Sequence, residues 1–161
     1  TCALPILFVS GCTHQCKGCF NECAWDFNYG NLYTDDIEDL IIESLKPKYI
    51  NGLTILGGEP MEILNQPYVW QLIKRVRDEV HHATIWLYSG YTYEELNDIN
   101  NKRCYCESLT KSILKNIDVL VDGEFIEEQK DISLRFKGST NQRIIDMRKT
   151  RETGEIILLE V

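Results

Sequence analysis

Apolar residues along this chain alternate between short continuous runs and longer stretches at helical spacing. The run Leu4-Pro5-Ile6-Leu7-Phe8-Val9, closed by Ser10-Gly11, predicts a buried strand. A cysteine-rich loop follows. Ile37, Leu40, Ile41 and Leu45 then recur on one helical face, with Thr34 and Asp35 as N-terminal caps and Pro47 as the stop. The cycle repeats with Leu53 to Leu56 as strand, Gly57-Gly58-Glu59-Pro60 as loop, and Val69, Leu72, Ile73, Val76 and Val80 on the next helix. In a third cycle Thr84 to Tyr88 reads as strand, Ser89-Gly90 as turn, and Thr92 with Glu95 as a capping box before Leu96 and Ile99. A less regular fourth places Leu109, Ile113 and Ile117 on a helix that runs into the strand and turn Asp118 to Gly123.

This alternation predicts right-handed βαβ units and a mostly parallel sheet, an α/β fold. The 161 residues fall short of the roughly 250 that an eightfold barrel needs. The expectation is therefore one domain over residues 1–161, an open or partial parallel β/α barrel of four to six strands with a wide mouth. The stretch from Arg135 to Arg151 is basic and irregular, and within 135–161 it predicts a mobile or partner-binding tail.

Composition narrows the setting. Hydrophobic residues at 43% and charged residues at 26% exclude wholesale disorder, and no apolar run approaches the roughly 20 residues that span a bilayer. A net charge of −8 argues against a nonspecific phosphate-binding surface, so nucleic acid and membrane are not expected partners. Seven cysteines, three of them within eight residues, suit thiolate ligation in a reducing compartment better than disulfides, which points to the cytoplasm.

Cys12, Cys16 and Cys19 directly follow the first strand, where ligands gather at the end of a parallel sheet. Offsets of four and three let one loop wrap three thiolates around a single cluster and leave the fourth iron of a 4Fe-4S cube open. A structural zinc site is the competing reading, with Cys23 or His14 as a further ligand. Its usual second pair would have to be Cys104 and Cys106, whose spacing is too short. Cys2, Cys23, Cys104 and Cys106 stay unassigned.

The segment Cys12-Thr13-His14-Gln15-Cys16-Lys17-Gly18-Cys19 resembles the CxxxCxxC signature of the radical S-adenosylmethionine (SAM) enzymes, and Gly57-Gly58-Glu59-Pro60 resembles their GGE motif. Phe20-Asn21, the run Trp86 to Tyr91, the run Val119 to Gly123 and Lys137-Gly138-Ser139-Thr140-Asn141-Gln142 are similar, in order, to the activases of anaerobic ribonucleotide reductases. The resemblance runs from about Leu7 to Gln142. It implies a partial barrel of the radical SAM type, a cluster on Cys12, Cys16 and Cys19, and reductive cleavage of SAM at its open iron. The resulting 5′-deoxyadenosyl radical would take a hydrogen from a glycine of the reductase's large subunit. An electron donor such as flavodoxin or ferredoxin is implied with it.

The same resemblance gives roles to further residues. Gly57 and Gly58 would meet the methionyl amine by backbone, and Glu59 would orient that amine or sit solvated. Gly18, Cys19 and Phe20 would line the adenine. Ser89 and Asp122, at strand ends, would touch ribose or carboxylate unless they are only turn residues. Lys137, Gly138, Ser139, Asn141 and Gln142 would contact the reductase or form a lid, unless they are a solvated loop. Another activase, of the pyruvate formate-lyase type, a 7-carboxy-7-deazaguanine synthase, or a non-enzymatic zinc or redox module are the alternatives. His81 and His82 read as helix caps, and Trp25, Trp70 and Trp86 as core or interface bulk.

Overall fold

In the computed structural model, residues 5–160 are described. Leu4, assigned above to the first strand, and Cys2 lie outside them. The elements are β1 (Ile6–Val9), α1 (Asp35–Leu45), β2 (Gly52–Gly57), α2 (Gln66–Glu79), β3 (Thr84–Ser89), α3 (Tyr93–Asn97), α4 (Glu107–Asn116), β4 (Val119–Asp122), β5 (Arg143–Asp146) and α5 (Met147–Thr153). Among the described residues the strands form one five-stranded sheet in the order β1-β2-β3-β4-β5. The first four are mutually parallel, and β5 runs antiparallel to β4 with Asp122 opposite Arg143. The sheet is open, and β1 and β5 are its two edges.

Local chemistry explains the elements. Thr34 caps α1 by accepting from the Ile37 amide, and α3 begins with the full reciprocal capping box of Thr92 and Glu95. His81, just past α2, places Nδ1 2.8 Å from the Arg77 carbonyl and so satisfies an end group of that helix. Along β3 the alternation splits two faces. Ile85 and Leu87 join Leu53, Ile55 and Leu120 beneath Ile42 and Leu45 of α1 and Val69, Leu72, Ile73 and Val76 of α2. Trp86 and Tyr88 pack with Val119, Val121 and Ile144 in a second cluster.

Three expectations need correction. Leu40 is 70% exposed, and the face of α1 instead buries Glu38, which accepts from the Tyr33 hydroxyl and pairs with Arg75. Ile99 is exposed, because α3 ends at Asn97. The stretch from Arg135 to Arg151 is irregular only as far as Gln142: beyond it lie β5, whose Ile145 is fully buried, and most of α5, capped by the Asp146 carboxylate. Its basic residues hide a strand only four residues long, too short to show a period.

Candidate functional site

The loop after β1 is wound so that each of the three cysteines directly follows a left-handed residue. Gly11 (φ 92°), Gln15 (φ 52°) and Gly18 (φ 72°) precede Cys12, Cys16 and Cys19. The backbone thus turns back before every thiol. The loop is anchored at its start, where the Gly11 amide donates to the Ala24 carbonyl at 2.8 Å and the Cys12 amide to Trp25 at 3.2 Å.

The turn after β2 locks onto this loop from below. The Gly58 amide donates to Val9 at 2.7 Å and the Glu59 amide to the Gly11 carbonyl at 2.8 Å. A Cβ on Gly58 would sit 2.6 Å from the Gly11 oxygen, so glycine is required there by the protein's own backbone. Asn65 gathers the carbonyls of Ser10, Gly11 and Glu59 with one amide group. Two buried glutamates from the same turn hold the residues between Cys12 and Cys16. Glu62 accepts from the Thr13 amide and hydroxyl at 2.8 and 2.5 Å. Glu59, 1% exposed, lies 3.1 Å from His14 Nε2 and accepts from Met61 N, Ser89 Oγ and Gly90 N.

A cavity of about 580 Å³ opens over this assembly. Cys12, Cys16, Gly18, Cys19 and Phe20 line one side, and Gly57, Gly58, Glu59, Ser89 and Gly90 the sheet end. The segment between β4 and β5 forms the opposite wall through Phe125, Phe136, Lys137, Gly138 and Gln142. A larger hollow of about 920 Å³ lies along the outer edge of β1, but its lining of Phe27, Tyr29, Tyr33 and neighbours holds none of the cysteines. The chemistry sits in the smaller one.

Not every expected residue faces it. Asp122 is fully buried and absent from the lining; it accepts from Tyr93 N at 2.7 Å and pairs with Arg143, which also forks onto Glu94. Ser139 is buried and accepts from Ile126 N, while Asn141 donates to the Glu124 carbonyl. Gln142 folds the same segment together, its side chain meeting Gly138 N at 2.8 Å and the Gly123 carbonyl at 2.9 Å. Glu59 is not solvated, and Ser89 spends its hydroxyl on Glu59 and Tyr91 N. Phe20 reaches the cavity with 85% of its surface exposed.

Glu62, Asn65 and the part of the opposite wall between Glu124 and Phe136 were missed by the sequence reading, whereas Lys137, Gly138 and Gln142 of that wall were expected near the site. Glu62 and Asn65 follow Gly58 by four and seven residues, but polar residues near a helix start read equally well as solvated.

Burial raises the Cys12 thiol and pushes Cys16 up to about 12, the latter helped by Glu124, whose Oε1 lies 3.6 Å from the sulfur. Both are therefore neutral thiols until a ligand displaces the proton. Burial lowers the His14 ring's affinity for a proton, but the Glu59 hydrogen bond and charge outweigh it, and the net shift is upward. Lys17 reaches across to Glu127 and Glu128 on the far wall.

Among the described residues no three His, Cys, Asp or Glu side chains converge where one metal ion would fit. Three thiols ranged along one cavity wall are instead the kind of donor set that suits a sulfide-bridged cluster, which is gripped at several corners. The residues fit such a group. Cys23 is exposed and Cys104 buried, away from that wall.

A family model described as a 4Fe-4S single cluster domain matches residues 3–145. The anaerobic ribonucleoside-triphosphate reductase-activating protein of Vibrio cholerae is 46% identical over 140 residues, covering 86% of this chain and 84% of its own. The protein of the same name from Haemophilus influenzae is 43% identical over the same lengths, and that of Enterobacteria phage T4 is 32% identical over 139 residues, 86% of this chain and 81% of its own. No solved structure matches the chain.

Proposed function

The chain belongs to the family of anaerobic ribonucleoside-triphosphate reductase-activating proteins, enzymes with a 4Fe-4S domain, and from that premise we propose how its residues perform the activation. Cys12, Cys16 and Cys19 hold the cluster, within one domain of the open radical SAM type. When bound, such a cluster would supply the electron that splits SAM into methionine and a 5′-deoxyadenosyl radical, which would take a hydrogen atom from a glycine of the reductase and leave the radical there.

The chain's own residues do the remaining work. Gly57 and Gly58 bring bare backbone to the cavity at the end of β2, where an amine finds carbonyl acceptors without side chains in the way. Gly18, Cys19 and Phe20 offer a flat apolar edge for an adenine. Phe125 and Phe136 close the opposite side and exclude water, so the electrostatic interactions inside strengthen. Lys137, Gly138 and Gln142 stand on this wall, facing an incoming segment of the reductase. An electron donor of the flavodoxin or ferredoxin kind completes the reading. No helix of the described residues is long and apolar enough to cross a membrane.

The observation that carries this reading is the convergence of the three cysteines and the Gly57-Gly58 turn on one cavity. The test is to mix the anaerobically loaded chain with the reductase's large subunit, SAM and a strong reductant, and to record the electron spin resonance spectrum. The expected result is a glycyl-radical doublet on the large subunit that vanishes when SAM is omitted. Absence of the doublet from a chain that carries its cluster would overturn it.

A further inference from the structure

Both oxygens of Glu59 are occupied inside the protein. Oε1 accepts from Met61 N at 2.8 Å and Ser89 Oγ at 2.9 Å, and Oε2 accepts from Gly90 N at 2.7 Å and faces His14 Nε2 at 3.1 Å. A buried carboxylate with these partners has little capacity left for an outside amine. What it does have is a grip on His14. That ring, 7% exposed, is slotted against Tyr91 with centroids 4.3 Å apart, and it occupies the space a Cβ on Gly90 would need, only 2.7 Å away. A histidine with two cysteines beside it in the loop thus lines the cavity beside them but is held in place by the sheet end, with its Nε2 committed to Glu59.

We propose that Glu59 is a positioning residue: through His14 it fixes the segment between Cys12 and Cys16, and so sets the spacing of two cluster thiols, and it is not a direct contact of the bound small molecule. The inference rests on the cysteine assignment above for its meaning, but its first test does not need the cluster. Glu59 stands on the turn after β2, and its carboxylate accepts from Ser89 at the end of β3 and from Gly90 just beyond it, so the cysteine loop is tied to the ends of two neighbouring parallel strands.

The experiment compares His14→Ala, His14→Gln and Glu59→Gln with the parent. In the unloaded protein, hydrogen exchange of residues 11–20 should quicken roughly tenfold or more in His14→Ala and Glu59→Gln, because the loop loses a charge-assisted anchor. His14→Gln retains a side-chain N–H and should stay close to the parent. In the loaded protein, His14→Ala should give an altered, broadened spin resonance spectrum of the reduced cluster, restored in His14→Gln. Unchanged loop exchange in His14→Ala, or a His14→Gln as defective as His14→Ala, would overturn the proposal. If the parent takes up no cluster, the cysteine assignment fails on its own, and the exchange measurement still decides the role of Glu59.

Discussion

Replacing Gly58 by alanine should damage the site without touching a cysteine. The Gly58 backbone is unstrained, so the whole cost is steric: the new Cβ would lie 2.6 Å from the Gly11 oxygen and 2.8 Å from that of Ala24, both backbone. Neither can rotate away. Restoring ordinary contact requires the turn to back off by roughly 0.8 Å, which stretches the 2.8 Å bond from Glu59 N to Gly11 O to about 3.6 Å, where it no longer counts as a hydrogen bond. Overpacking costs about 1–3 kcal/mol and the lost bond about 1 more, so the total is about 2–4 kcal/mol. For a chain of this size that lowers the melting temperature by roughly 5–12 °C. Gly30→Ala is the control. Its φ of 86° is left-handed but nothing lies within 4 Å, so it should cost only about 1 kcal/mol. Thermal and urea unfolding of the unloaded protein would measure both. A Gly58→Ala variant as stable as Gly30→Ala would refute the close approach of the β2 turn to the cysteine loop.

Other outcomes follow from the same geometry. Arg143→Met leaves Asp122 fully buried with only the Tyr93 amide against it, and urea unfolding should register a loss of about 3–5 kcal/mol; Glu94→Gln, at an exposed end of the same network, should cost less than about 1. Gln15→Gly relieves a left-handed side chain before Cys16 and should leave thermal stability unchanged or raise it by up to about 1 kcal/mol. Burial pushes the Tyr88 phenol up to about 12 from its ordinary 10. The folded state therefore keeps its proton longer than the unfolded one. This contribution to stability is whole below pH 10 and is lost as pH rises toward 12, with an ultraviolet tyrosinate titration reporting the ionisation.

The sheet was legible because the parallel strands are short apolar runs and the first three are each followed by a helix, of which those after β1 and β3 carry side-chain caps: Thr34, Thr92 and Glu95 act as their identities suggest. β5 was not, since an antiparallel edge of four residues among arginines and lysines carries no period. The cysteines stood out by spacing and the Gly57-Gly58 turn by its resemblance to a known motif, and both line one cavity. Their supports did not stand out: Glu59, Glu62 and Asn65 are polar residues whose burial depends on partners more than 40 residues away in the chain, such as His14 and Thr13, which no local pattern encodes. Asp122 shows the opposite error, a strand-end carboxylate whose place invited a ligand but whose charge is spent on Arg143.

The claim on which the account stands is that Cys12, Cys16 and Cys19, and none of the other described cysteines, hold a cluster. Iron and acid-labile sulfide counted per chain after anaerobic reconstitution test it most directly, in the parent, in a variant with all three changed to serine, and in a Cys23→Ser, Cys104→Ser, Cys106→Ser variant. The expected result is about four of each in the parent and the last variant and none in the first. A cluster that survives loss of Cys12, Cys16 and Cys19, or one that disappears with the other three, would contradict it.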